Sequence, residues 1–170
     1  MTIEKKQDLL FRSLKDFYNK EKNLFKLHSI LSKDGTISLR IIDYLCTNYS
    51  KNEAVVYYLK PSDTTPFNLY LQYRSQLKAY SKLQFDPFRR HQRINLKCPI
   101  APNGIIETTV AQLNFFKWAF ENKVIDYIEN NSNREQIEKH MQNKQKSNLT
   151  QKDLNTKAKR HNINITVTFK

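Results

Sequence analysis

Three of the eight arginines in this 170-residue chain, Arg89, Arg90 and Arg93, fall inside the short stretch Asp86–Arg93. A guanidinium is a planar fork of donors that meets phosphate oxygens two at a time. Just upstream, Arg74, Lys78 and Lys82 recur every four residues, a spacing that aligns side chains along one face of a helix. Such a stripe beside an arginine loop is suited to tracking a phosphate backbone and releasing its counterions. A second basic concentration spans 139–160, with seven Lys and Arg against the single acid Asp153. Its candidate contacts are Lys152, Lys157, Lys159 and Arg160. The competing reading of the loop has one arginine pairing with Asp86 and the others solvated, and a lysine-rich polar helix is often only a solvated face.

Other chemistries find little to work with. His28, His91, His140 and His161 stand singly, without HxxxH or a cysteine at ligand spacing, so no metal site is expected. Two glycines leave no Gly-rich phosphate cradle, and there is no P-loop or GxSxG. Asp86 and His91 could be drawn as the acid–base pair of a nuclease, but one carboxylate without a metal partner is a poor basis for it. No catalytic residues and no cofactor are expected, and the chain reads as a non-enzyme. Tyr57, Tyr58, Tyr70 and Tyr73 would serve as stacking platforms for single strands or, more commonly for alternating aromatics, as core.

The elements that must position these residues can be read from periodicity. Residues 4–18 (Leu10, Leu14, Phe17) and 22–32 (Leu24, Leu27, Leu31) predict amphipathic helices, the second closed by Asp34-Gly35. Ser38 caps a third running to Tyr49. Residues 53–59 and 67–73 read as two strands of a hairpin around the Pro61–Pro66 turn. A short helix follows from Arg74, with Leu77, Tyr80 and Leu83 on its apolar face, and Pro87 then forces a loop through 85–93. Residues 94–98 and 105–108 are short strands around a Pro99–Gly104 turn. Thr109-x-x-Gln112 is a capping box opening an aromatic helix that breaks near Asn122 and resumes over 124–129. On it Leu113, Phe116 and Phe120 are expected in the core and Lys117 outside. Ser132-x-x-Glu135 caps a polar helix, 142–149 reads as a linker, and Thr150-x-x-Asp153 opens a basic helix ending near Arg160. Ile163, Ile165, Val167 and Phe169 alternate as a final strand.

The whole is an α+β single domain over 1–170: a helical subregion 1–52, a core with the basic loop 53–130, and the polar helix, basic helix and strand 131–170. Its length allows a core without disulfides or metals. The net charge is +13, and the middle segment 60–104 holds eight basic residues against two acids. Abundant Lys, Asn, Ile, Phe and Tyr fit an AT-rich gene, which does not account for clustered arginine. Cys46 and Cys98 stand alone and read as buried, reduced thiols. The charged N-terminus lacks the apolar run of a signal peptide, and nothing approaches the roughly 18 apolar residues of a membrane span. A cytosolic, nuclear or particle-packaged protein with no membrane partner is expected.

The strings SLRIIDYLCTNYSK (38–51), YLQYRSQLKAYSKLQFDPFRRHQRI (70–94), ETTVAQLNFFKWAFENKVIDYI (107–128) and KRHNINITVTF (159–169) resemble a family of small basic proteins of nucleocytoplasmic large DNA viruses. In that pattern a cysteine precedes the arginine pair and a glycine stands at the position of Ala111; this chain has Phe88-Arg89-Arg90 directly, so no cysteine chemistry is implied there. The resemblance implies a viral protein of the virion, or of the host cytoplasm or nucleus, and assigns no residue roles. The expectation is a sequence-tolerant nucleic-acid binder, for duplex DNA, in an architectural or genome-packaging role. Self-association or another viral protein is a further partner class. The alternative is a non-enzymatic scaffold module that contacts a protein through the aromatic segment, which exposed Trp118 and Phe120 would favour.

Overall fold

The computed structural model describes residues 3–32, 35 and 37–158, with side chains described over 8–32, 35 and 37–147. It is an α+β domain: α1 (Ile3–Tyr18), α2 (Glu21–Leu31), α3 (Leu39–Tyr44), a π-helical turn (Leu45–Tyr49), α4 (Ser50–Asn52), β1 (Val56–Tyr57), β2 (Phe67–Asn68), α5 (Leu69–Gln84), β3 (Arg93–Lys97), β4 (Ile105–Thr109), α6 (Val110–Glu121), α7 (Val124–Glu129) and α8 (Asn131–Ala158). The strands form two separate antiparallel pairs, β1 with β2 and β3 with β4.

The capping signals act where expected at Ser38, whose hydroxyl accepts from the Ile41 amide, and at Thr109, which accepts from Gln112. α6 is the centre of the core, burying Phe115, Phe116, Trp118 and Ala119. α1 packs on it through Leu14 and Tyr18, the latter donating to the Leu113 carbonyl at 2.8 Å. α6 ends at Asn122, and Lys123 takes a left-handed conformation (φ 55°) to redirect the chain into α7. Cys46 and Cys98 are free and buried, and burial pushes the Cys46 thiol pKa up. Cys98 belongs to a smaller cluster with Leu24, Ala101 and Ile106 beside the β3–β4 hairpin.

Several expectations are corrected. The strand expected over 67–73 is only Phe67–Asn68, because Asn68 caps a helix that begins at Leu69: its side chain accepts from the Leu71 amide at 3.0 Å. Leu69 and Tyr73, four apart, are the buried positions, while Leu71 is 63% exposed, so the period is helical rather than alternating. The strand over 53–59 shrinks likewise to Val56–Tyr57. Leu83 is exposed, not on the apolar face with Leu77 and Tyr80, because Ser81 (φ 59°, ψ 171°) breaks the helical geometry before it.

At the other end, Asn130 rather than Ser132 starts the helix, accepting from the Asn133 amide. The expected linker 142–149 and the start at Thr150 both lie inside the continuous α8. That run is polar but holds neither Gly nor Pro, so nothing in it stops a helix. Buried Ile137 and several polar contacts fix α8 to the body. Tyr44 Oη lies 2.8 Å from His140 Nδ1, Tyr49 donates to Gln136 at 3.3 Å, and Lys144 donates to Asn48 at 2.7 Å. The expected strand 163–169 lies outside the described residues, as do Asp34, Lys159 and Arg160.

Candidate nucleic-acid interface

The arginine loop joins α5 to β3 and is fastened to the first two turns of α6. Asn114, polar and 5% exposed on an otherwise apolar face, donates to the Gln84 carbonyl at 2.9 Å. The Asp86 amide donates to the Ala111 carbonyl, Gln112 Nε2 donates to the Pro87 carbonyl at 2.7 Å, and Thr109 Oγ1 donates to the Arg89 carbonyl at 3.3 Å. Thr108 Oγ1 donates in turn to Gln112 Oε1 at 3.1 Å and holds that amide in place. Apolar anchorage comes from Phe85, 1% exposed, whose ring centroid lies 5.3 Å from that of Phe115 and 5.5 Å from that of Trp118. Two non-glycine residues at positive φ, Ser81 and Gln92 (both 59°), bracket the loop. Each is a conformation costing on the order of 1–3 kcal/mol, held only because the surroundings determine it.

Within the loop, Asp86 does not pair with an arginine. Its Oδ1 accepts from the Phe88 amide at 2.8 Å, and its carbonyl from the Arg89 amide. Together with Pro87 this makes a rigid Asp-Pro-Phe-Arg turn. The nuclease-like pairing of Asp86 with His91 is not formed: no hydrogen bond or ion pair joins them among the described residues.

The structure divides the expected phosphate contacts of this zone into two sets. Arg74, Lys78, Arg89 and Arg90 have no carboxylate within ion-pair distance among the described residues. Arg74, Lys78 and Arg90 are exposed, and Arg89 is half-buried. Arg93 is ion-paired, and Lys82, exposed and without an ion pair among the described residues, stands beside two carboxylates. Arg93 bonds Glu107 at 2.7 Å, with both side chains half exposed, and the contact raises its pKa further, first through the hydrogen bond and then through charge. Strand register explains the pair: Arg93 lies opposite Thr109 and Asn95 opposite Glu107, so Arg93 and Glu107 are diagonal neighbours on one face. Lys82 follows the break at Ser81, so the four-residue stripe stops at Lys78. Lys82 instead lines a cleft of about 280 Å³ with Asp43, Asp86 and Phe88. Burial first and the Asp86 charge second raise the Asp43 pKa, and Lys82 opposes the rise.

Arg89, Arg90 and Arg93 do come together. They line one groove of about 180 Å³ with Glu107, Thr109 and Gln112, against the start of α6. Arg89 also borders a larger groove of about 640 Å³ lined by Leu10, Phe11 and Leu83.

Lys152 and Lys157 lie in α8, whose side chains are not described there, and Lys159 and Arg160 lie outside the described residues. The aromatic segment faces inward: Leu113 and Phe116 are buried as expected, Trp118 is 6% exposed, and Phe120 is partly buried against Phe17. Lys117 is less exposed than its helical position suggested, at 22% of its side chain, because it bonds Glu121 at 2.7 Å and lies over the Phe17 ring. Of the four tyrosines, Tyr73 is buried, Tyr57 stacks on Tyr127 and donates to the Asn122 carbonyl, Tyr70 is half-buried, and Tyr58 is 56% exposed. No group of three or more metal-ligating side chains occurs among the described residues, and no helix there is long and apolar enough to cross a membrane.

The positioning residues Thr108 and Asn114 carry no sequence motif. The available signal was Asn114 itself, a polar side chain at a core position of an apolar helix, which must find a hydrogen-bond partner.

Comparison with known proteins adds a viral relative. The chain is 35% identical over 129 residues to the uncharacterized protein L507 of Acanthamoeba polyphaga mimivirus, covering 74% of this chain and 50% of that protein. It therefore spans about half the length of that relative. No solved structure matches significantly. A family model described as a family of unknown function, DUF7197, matches residues 2–168, and the chain belongs to that family.

Proposed function

We propose that this protein is a non-catalytic, sequence-tolerant nucleic-acid-binding protein of a virus, acting on duplex DNA in an architectural or packaging role. The observation that carries this is the loop of Arg89 and Arg90: two guanidinium groups with no carboxylate within ion-pair distance among the described residues, on a backbone hydrogen-bonded to Thr109 and α6. Fixing the donors before contact reduces the ordering cost of binding. Arg74 and Lys78 on α5, without an ion pair among the described residues, extend the positive charge, and the basic half of α8 supplies a second zone. Arg93 plays a lesser part, since Glu107 already neutralises it, and Lys82 borders a cleft with Asp43 and Asp86. Packaging in the virion fits the viral relative and a charge suited to condensing a polyanion. The scaffold alternative has less support, because Trp118 lies in the core and Phe120 is partly buried.

The test is affinity across a salt series on two unrelated duplexes, for the wild type and for Arg89→Gln/Arg90→Gln. Each lost phosphate contact should flatten the slope of log affinity against log salt by about 0.9, equally on both sequences. Glu107→Gln should do the opposite, releasing Arg93 and steepening the slope. A folded double mutant with wild-type affinity and slope on both duplexes would remove this loop as the binding surface.

A further inference from the structure

We propose that Phe88 is a base-stacking residue, so that the arginine loop prefers DNA presenting an unstacked base, in single-stranded or distorted stretches, over regular duplex. This deepens the nucleic-acid reading above and rests on it.

The turn separates two rings of the same kind. Phe85 is 1% exposed and Pro87 is buried, while Phe88 is 41% exposed. An isolated exposed ring is ordinary on a protein surface. What sets Phe88 apart is that the backbone beneath it is constrained on every side. Its amide is held by Asp86 Oδ1 at 2.8 Å, the preceding Pro87 has a fixed φ, the Pro87 carbonyl is held by Gln112, and the following carbonyl is held by Thr109. Phe88 borders the cleft of Lys82 and Asp43 while remaining 41% exposed. The next two residues in the chain are Arg89 and Arg90, cations without carboxylate partners among the described residues.

A flat apolar surface beside unpaired guanidinium groups matches the chemistry of a nucleotide, which carries a π face and, one sugar away, a phosphate. Stacking accepts any base, consistent with sequence tolerance, but it needs a base whose face is accessible. In regular duplex those faces are covered by neighbouring pairs, and exposing one costs unstacking energy. A polyanion without bases would use the arginines and ignore the ring.

The experiment compares wild type, Phe88→Ala and Phe88→Trp, at one fixed salt, on four labelled probes: a regular duplex, the same duplex with an unpaired thymine, a single-stranded oligonucleotide, and heparin. The wild type should favour the bulged and single-stranded probes over regular duplex. Phe88→Ala should weaken binding to those two about tenfold, the equivalent of about 1.4 kcal/mol, and leave regular duplex and heparin unchanged. Phe88→Trp should keep the preference and show fluorescence quenching on base-containing probes only; the native Trp118, 6% exposed, supplies a constant background. Equal affinities of Phe88→Ala and wild type on the bulged and single-stranded probes would overturn the proposal, as would an equal loss on heparin. A loss produced instead by Phe11→Ala would place the base in the groove on the other side of Arg89 and overturn it as well. Failure of the wild type to bind any DNA probe would sink the nucleic-acid reading itself, a distinguishable result.

Discussion

Replacing Gln112 by Ala should loosen the arginine loop without removing any charge from it. The side chain makes two hydrogen bonds, donating to the Pro87 carbonyl at 2.7 Å and accepting from Thr108 Oγ1 at 3.1 Å. A typical intramolecular hydrogen bond contributes about 0.5–1.5 kcal/mol net, so losing both should cost about 1–3 kcal/mol. In a domain of this size about 1 kcal/mol shifts Tm by roughly 2–4 °C, so a fall of about 2–12 °C is expected. The functional consequence is more diagnostic than the stability loss. Arg89 and Arg90 remain in place and charged, and the number of phosphates they neutralise does not change. DNA affinity should therefore fall several-fold at every salt concentration while the salt slope stays at the wild-type value, because only the cost of ordering the loop has risen. Thermal melting and fluorescence anisotropy across a salt series measure the two effects on the same sample. An unchanged Tm with unchanged affinity would refute the view that Gln112 pins the loop. A flattened slope would show that the substitution displaces the arginines themselves.

Two further outcomes bear on the frame around the loop. Phe116→Ala, at a fully buried position on α6, should destabilise by about 3–5 kcal/mol in denaturant melts, and a wild-type midpoint would remove α6 as the core element. For Asp43, burial and the Asp86 charge raise the folded pKa above its ordinary value of 3.8, so its contribution to stability is full below about pH 4 and is lost as pH rises through the folded value. Asp43→Asn should remove that component, so the Tm difference between mutant and wild type should move in the mutant's favour from pH 4 to pH 7; a difference constant across that range would contradict the assignment.

The sequence was most legible where local chemistry is self-contained. Ser38 and Thr109 cap their helices because a hydroxyl and an amide three residues on need nothing else. It misled where one pattern fits two periods: Phe67, Leu69, Leu71 and Tyr73 satisfy alternation, and Leu69 and Tyr73 also satisfy a helical face. Asn68 decided between them by capping. The linker reading of 142–149 failed because polarity alone does not end a helix when no Gly or Pro interrupts it. In the site, the loop and its cluster of arginines were visible as a run of residue types. Its attachment was not, since the Gln112 to Pro87 and Asn114 to Gln84 bonds join positions 25 and 30 residues apart.

The same distinction governs the charge. A net charge of +13 describes the chain as a polyelectrolyte, but binding depends on which cations have no competing anion beside them. Arg93 counts in full toward that total, and by spacing it belongs with Arg89 and Arg90. The antiparallel register of β3 and β4 nevertheless delivers Glu107 to it at 2.7 Å, and after the break at Ser81 Lys82 borders the cleft that holds Asp43 and Asp86. Both placements depend on backbone geometry rather than on composition. Arg89 and Arg90 at the loop and Arg74 and Lys78 on the regular part of α5 are exposed or half-exposed and have no ion pair among the described residues. A phosphate approaching Arg93 must displace a carboxylate already in contact, whereas one approaching Arg90 meets no ion-paired carboxylate among the described residues. Removing Glu107 should therefore change binding in the opposite sense to removing Arg90, although the two side chains border the same groove.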